Sequence, residues 1–123
     1  MEQQTTKFYE SPSYLGYAND PDMVDDKRQE KWEKQYNERG FDDTCTWSFD
    51  DTLIRFITPR LKRFLEISEE ITKADEFHAD VRKMLEGFEF YMSGNFNDCD
   101  TEHNKILDES FSLLAKNYRG LWW

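Results

Sequence analysis

The chain has 123 residues and a formal net charge of −10, with 34% charged and 37% apolar side chains. That length suits one domain with a real core. A net negative charge excludes nucleic-acid phosphates and anionic membrane surfaces as default partners, because both need a basic face.

Ten Phe, six Tyr and four Trp supply large buried area from few residues. Residues 1–24 hold Pro12 and Pro21 with Ser11, Ser13, Gly16 and Asn19, a composition that breaks regular structure. The same stretch carries Phe8, Tyr9, Tyr14 and Tyr17. Disordered tails are poor in aromatics, so this stretch reads as an extended arm packed on the domain or on a partner. A first helix is expected over residues 25–39. Asp25 and Asp26 favour its N-terminal dipole, and Gly40 ends it. Only Val24, Trp32 and Tyr36 are apolar there, so the helix is mostly exposed, with Glu30 and Lys34 paired four apart.

After a loop at 41–47, Ser48 and Asp51 read as a helix cap three apart. A second helix then runs to about Ile67, with a kink or brief break expected near Arg55–Pro59, because Pro59 removes a backbone bond. A third helix starts near Ala74 and ends before Gly94. Its interior Gly87 costs about 1 kcal/mol against alanine unless a close contact needs it. A polar loop at 95–100 leads to a fourth helix from about Thr101 to about Arg119, after which Leu121, Trp122 and Trp123 close the chain. One tryptophan of that pair is expected to close the core and the other to stay exposed.

Three of these segments are amphipathic. Leu53, Ile57, Leu61, Phe64 and Leu65 recur at helical steps, as do Phe77, Val81, Met84, Leu85, Phe88, Tyr91 and Met92. So do Ile106, Leu107, Phe111, Leu114, Tyr118 and Leu121. One greasy face and one charged face is how a helix in a bundle reads. The fold class is therefore all-α: a small helical bundle of three main amphipathic helices, with an N-terminal helix and an extended arm. The arm occupies 1–24 and a single helical domain 25–123.

No motif has the spacing of an active site. Asp75 and His78 are three apart, as are Asp100 and His103, which is the spacing of acid-x-x-His metal pairs. Both pairs open helices, and antiparallel neighbours would hold them about 28 Å apart, the length of the third helix. Acids at helix starts also serve the dipole. Cys45, Cys99, His78 and His103 lack the paired spacing of a zinc site. Asn95, Asn97, Asp98 and Asp100 lack the glycine and distal glutamate of a calcium loop. Two cysteines make no disulfide framework. Nothing frames a serine or cysteine as a nucleophile, and no glycine-rich phosphate loop is present. Neither a catalytic residue, a metal nor a cofactor is expected.

The candidate binding residues are basic or aromatic. Arg55, Arg60, Lys62 and Arg63 make residues 53–73 net positive in an acidic chain. They offer a patch for an acidic protein or a small anion, or they are paired surface, with Asp51–Arg55 and Lys62–Glu66 both four apart. Trp47 is a recognition residue or a staple beside the second helix, and Trp123 raises the same choice.

Trp47-Ser48-Phe49-Asp50, Leu53, Ile57, Pro59-Arg60-Leu61-Lys62-Arg63-Phe64, Gly87-Phe88-Glu89, Phe111, Leu114-Ala115-Lys116-Asn117-Tyr118 and Leu121-Trp122 resemble a family of small bacteriophage proteins without an assigned activity. The resemblance covers about residues 39–122 and includes the spacing between blocks. That family carries a proline-bearing loop and a tryptophan ahead of its third helix. Here the stretch runs from Glu66 to Ala79, with Phe77 as the counterpart. The resemblance implies a phage-encoded protein acting in the cytoplasm of a bacterial host, and supplies no activity.

The expected function is that of a non-enzymatic binding protein that inhibits or modulates a host or phage protein, such as a defence factor. One alternative is an oligomeric sponge for a small anionic nucleotide held by Arg60, Lys62 or Arg63. Another is an acidic mimic of nucleic acid. Direct nucleic-acid binding is not expected. No apolar run reaches membrane-spanning length, and Met1–Thr5 lacks the basic and apolar parts of a signal peptide. A homodimer or larger assembly is favoured, with Trp123 or the Tyr14–Tyr17 arm at the contact, since exposed apolar surface marks interfaces.

Overall fold

The computed structural model describes residues 7–20, 26–71 and 74–123. The expectations for residues 1–6, Pro21, Val24, Asp25 and the Asp26 side chain lie outside the described residues. Four α-helices follow one another: α1 (Asp26–Arg39), α2 (Phe49–Ser68), α3 (Asp75–Met92) and α4 (Thr101–Asn117). The described residues contain no strand, so the all-helical class holds. Packing sorts the chain into two compact units, Met1–Leu53 and Ile54–Trp123, with the boundary inside α2.

In the first unit, residues 7–20 run through a 3-10 turn at Phe8–Glu10 and further tight turns, with Tyr14 N–H donating to Ser11 O at 3.0 Å and Asp20 N–H to Tyr17 O at 3.0 Å. This stretch is therefore coiled on itself where an extended strap was expected. Tyr14, Ala18, Trp32 and Cys45 are buried together, with Phe8, Tyr9 and Tyr36 packed against them. The helix α1 stops where Gly40 takes φ +84° and donates its N–H to Tyr36 O at 2.8 Å, the left-handed cap that glycine adopts without strain. Lys34 pairs with Glu38 at 3.9 Å in place of the expected Glu30. A 3-10 turn at Asp43–Thr46 folds back on α1, where Gln35 brackets Asp43. Its amide donates to the Asp43 carboxylate at 2.9 Å and its carbonyl accepts Asp43 N–H at 2.9 Å.

The helix α2 passes through Pro59 without the expected break. On either side of the proline, side chains bind carbonyls one turn back. Thr58 Oγ1 donates to Ile54 O at 2.6 Å and Arg60 to Phe56 O at 2.9 Å.

In the second unit α3 supplies most of the core. Val81, Met84, Leu85 and Phe88 are buried with Ile54 and Leu61 of α2. The expected α2 stripe holds at Ile57, Leu61, Phe64 and Leu65, but Leu53 faces solvent and Ile54 is buried in its place. The α4 stripe is rotated: Leu107 and Leu114 pack on the core, Ile106 and Phe111 are exposed, and the most buried residue is Ser110 at 1%. Met92 at the end of α3 is exposed as well.

Gly87 explains the α4 rotation. A Cβ at this position would lie 1.9 Å from Ser110 Oγ and 3.1 Å from Ile106 O. The two helices cross here with almost no side chain between them, and Ser110 Oγ donates to Met84 O at 3.0 Å. A small residue must sit at the crossing, so α4 turns its bulky residues to either side. Cross-helix contacts run in antiparallel order, from Lys116 on Glu76 and Asp80 (3.1 and 2.8 Å) through Lys83 on Glu109 (2.7 Å) to His103 against the Phe90 ring.

The α3–α4 contact can be tested in two ways. Alanine at position 87 would gain about 1 kcal/mol of helix propensity but must overpack Ser110 and the Ile106 carbonyl. Gly87→Ala is expected to lower stability by a net of about 1–3 kcal/mol, and adding Ser110→Gly to recover part of it. Chemical denaturation of the wild type, both single variants and the double variant checks this, and a more stable Gly87→Ala would place the crossing elsewhere.

The second test concerns pH. Hydrogen bonds from Lys116 and Asn117 hold the Asp80 carboxyl below the ordinary carboxylate range. The unfolded chain therefore takes up this proton first as pH falls, and the stabilisation, complete at neutral pH, disappears as pH drops through the folded-state value. Urea midpoints of wild type and Asp80→Asn should differ at neutral pH and converge well below the carboxylate range.

Candidate interaction surfaces

A buried polar clamp organises the first unit. Asp42 and Thr44 are fully buried and Tyr14 nearly so. Tyr14 Oη donates to Asp42 Oδ2 at 2.6 Å and accepts from Ala18 N–H at 3.2 Å. Asp42 Oδ1 accepts Thr44 N–H at 2.8 Å and the Thr44 hydroxyl, while Thr44 Oγ1 accepts Tyr17 N–H at 2.8 Å. The Cys45 thiol lies 3.8 Å from Asp42 Oδ2. Burial first, then the bond to Asp42, pushes the Tyr14 hydroxyl above the ordinary tyrosine range. Gly16 closes the clamp, since a Cβ there would meet Tyr14 Oη at 2.2 Å and Thr44 Oγ1 at 2.6 Å. A carboxylate this well supplied with donors is fitted to hold two segments together.

Outside the clamp, Tyr17 Oη donates to Asp51 at 2.9 Å, which ties the start of α2 to the N-terminal segment. Trp47 stacks parallel to Tyr17 with centroids 6.5 Å apart and meets the edge of Trp32 at 5.8 Å. The tryptophan is thus partly a packing residue and partly surface.

The four basic residues of α2 do not converge. Arg60 lays its guanidinium over the Phe56 ring, 3.9 Å from the centroid. Arg63 pairs with Glu66 at 3.0 Å, taking the acid expected for Lys62. At 100° per residue, Lys62 falls about 160° from Arg60 around the helix. It lines an open depression with Thr58, Pro59, Glu89, Met92 and Ser93, where Glu89 opposes an anion. Arg55 is half-buried.

The acid-x-x-His pairs sit at opposite ends of α3, about 27 Å apart for an 18-residue helix. Asp100 Oδ1 caps α4 through Glu102 N–H (2.9 Å) and His103 N–H (3.1 Å). His103 Nδ1 accepts Asn97 N–H at 3.0 Å. His78 is buried, with Nε2 unbonded. Among the described residues, no three His, Cys, Asp or Glu side chains gather as a metal would need.

At the other end of α4, the turn Tyr118–Gly120 lies on Phe77, because a Cβ on Gly120 would come 2.6 Å from that ring. Leu121 packs against the core. Both tryptophans that follow are exposed, Trp122 at 64% and Trp123 at 67%, so the expectation that one of them closes the core does not hold. Tyr118 is 55% exposed, and its hydroxyl lies 3.2 Å from Arg119 Nε.

No protein family, curated protein or solved structure matches the chain.

The clamp sets a test of the first unit. Tyr14→Phe removes one donor from buried Asp42 and one acceptor from Ala18 N–H, and is expected to cost about 1–3 kcal/mol. Chemical denaturation followed by tryptophan fluorescence checks it. A loss within experimental error would mean that these two groups find other partners.

Proposed function

We propose that the protein is a non-enzymatic binding protein that engages a host or phage protein and modulates it. The observation that carries this reading is the exposure of Tyr118, Arg119, Trp122 and Trp123, which lie within six consecutive residues and of which Arg119 bonds Tyr118. Trp, Tyr and Arg are the residue types that dominate binding energy at protein interfaces. Two neighbouring indoles about two-thirds exposed forgo about 25 cal/mol for each Å² of apolar surface that a partner would cover. The turn on Phe77 fixes where these side chains leave the fold, so the surface is presented from a packed base.

The resemblance to small bacteriophage proteins supports a role during infection, in the cytoplasm of a bacterial host. No helix among the described residues is long and apolar enough to cross a membrane. The charge of −10 favours a partner whose contact surface is basic around an apolar centre.

The test compares wild type with the double variant Trp122→Ala, Trp123→Ala at equal expression in bacteria. Wild type should retain a stoichiometric host or phage protein on affinity capture, and the variant should lose at least tenfold in binding with an unchanged melting curve. Equal retention by both proteins would remove this surface from the reading. A purified wild type carrying a bound nucleotide and no protein would replace the reading with sequestration of a small anion.

A further inference from the structure

The outer face of α2 carries a stripe that its own packing does not use. Phe49, Leu53, Phe56, Arg60, Arg63 and Ile67 follow one another at alternating steps of four and three. At 100° per residue they fall within about 80° of one another, while the buried Ile54, Thr58 and Leu61 lie about 150° away. Phe49, Leu53 and Phe56 are 56%, 45% and 48% exposed. Steps of four and three are the spacing of a two-stranded helical seam.

We propose that this stripe is covered by α2 of a second copy of the chain, running antiparallel about a two-fold axis near residues 54 and 55. The choice of occupant follows from what the stripe presents. Its first half is apolar and its second half offers two guanidiniums, while Asp50 stands exposed at the first turn. A fitting partner helix brings apolar groups to the middle, a ring or carboxylate to Arg60, and a cation to Asp50. Another α2 does all three when reversed. Leu53 meets Phe56 of the second copy, and Phe49 meets its Arg60, with Asp50 alongside. The same two layers recur on the far side of the axis, as a two-fold contact requires. Arg60 already lies on its own Phe56, and the outer face of its guanidinium is available to a second ring.

The contact is small. From Phe49 to Arg60 the seam spans about 16 Å, which places it at the low end of specific interfaces. Two chains of −10 also repel each other, a cost that salt reduces. The dimer is therefore of micromolar strength.

Sedimentation equilibrium from about 5 to about 500 µM at physiological salt tests this. The mean mass should rise from one chain to two. Amide shifts on dilution, followed by NMR, should be confined to residues 49–60. The variant Leu53→Glu, Phe56→Glu alters only exposed side chains and should weaken association at least tenfold. Phe49→Glu, which sets a carboxylate against Arg60 of the second copy, should retain it. A single-chain mass throughout the range overturns the proposal. So does a dimer whose dilution shifts fall elsewhere, for example at Trp123, or one that the double Glu variant leaves intact. If that variant fails to fold, the wild-type dilution shifts decide.

Discussion

Gly87 and Ser110 let α3 and α4 approach until backbone nearly touches backbone, and most of the second unit depends on that crossing. Once a side chain is missing from α3 at this point, the facing position on α4 must be small as well. The bulky residues of α4 are then displaced to the flanks. Leu107 and Leu114 fall against the core, while Phe111 reaches the edge of the Phe88 ring with its outer side in water. The ion pairs of Lys83 with Glu109 and of Lys116 with Glu76 are exposed and add little energy, whereas Lys116 and Asn117 bind an Asp80 carboxylate that is largely covered.

The first unit is held by a different kind of force. Its apolar cluster has four buried members, and the specificity comes from Asp42. A carboxylate placed out of water demands donors, and an unmet demand costs more than a met one returns. Tyr14 and Thr44 meet it from two segments that are far apart in sequence. Gly16 allows the first of these segments to pass close enough. The clamp thus selects one path for the N-terminal residues, where aromatic packing alone would tolerate several.

Periodicity and capping made the helices legible. The bounds of α1, α3 and α4 follow from Gly40, Gly94 and Asp100, residue types whose positions in the sequence already mark them as terminators or caps. Pro59 does not break α2, which runs on to Ser68. The rotation of α4 was hidden because hydrophobicity marks greasy residues, whereas the contact line there is set by a glycine and a serine. The clamp was hidden for a related reason. Its members are polar and distant in sequence, and only the Asp42-x-Thr44 pair hints at a capped turn. Of the candidate binding residues, Trp47 and Trp123 were recognisable as large rings near element ends. That Arg60 and Lys62 point to different sides follows from helix geometry alone, given that the helix continues through Pro59.

Small residues at the α3–α4 crossing narrow the gap between these two helices, so the rings of α4 do not fit inside it. They appear at the surface, where apolar area alone would favour indiscriminate association. Two of the exposed rings stand next to a cation, Phe56 beside Arg60 and Tyr118 beside Arg119. A guanidinium on a ring keeps that ring partly covered and hydrated in the free chain. It also makes the ring selective, because a partner must satisfy the charge while burying the ring. In a chain that is otherwise strongly acidic, such aromatic–arginine pairs are the places where the proposed contacts would be both apolar and electrostatically favourable.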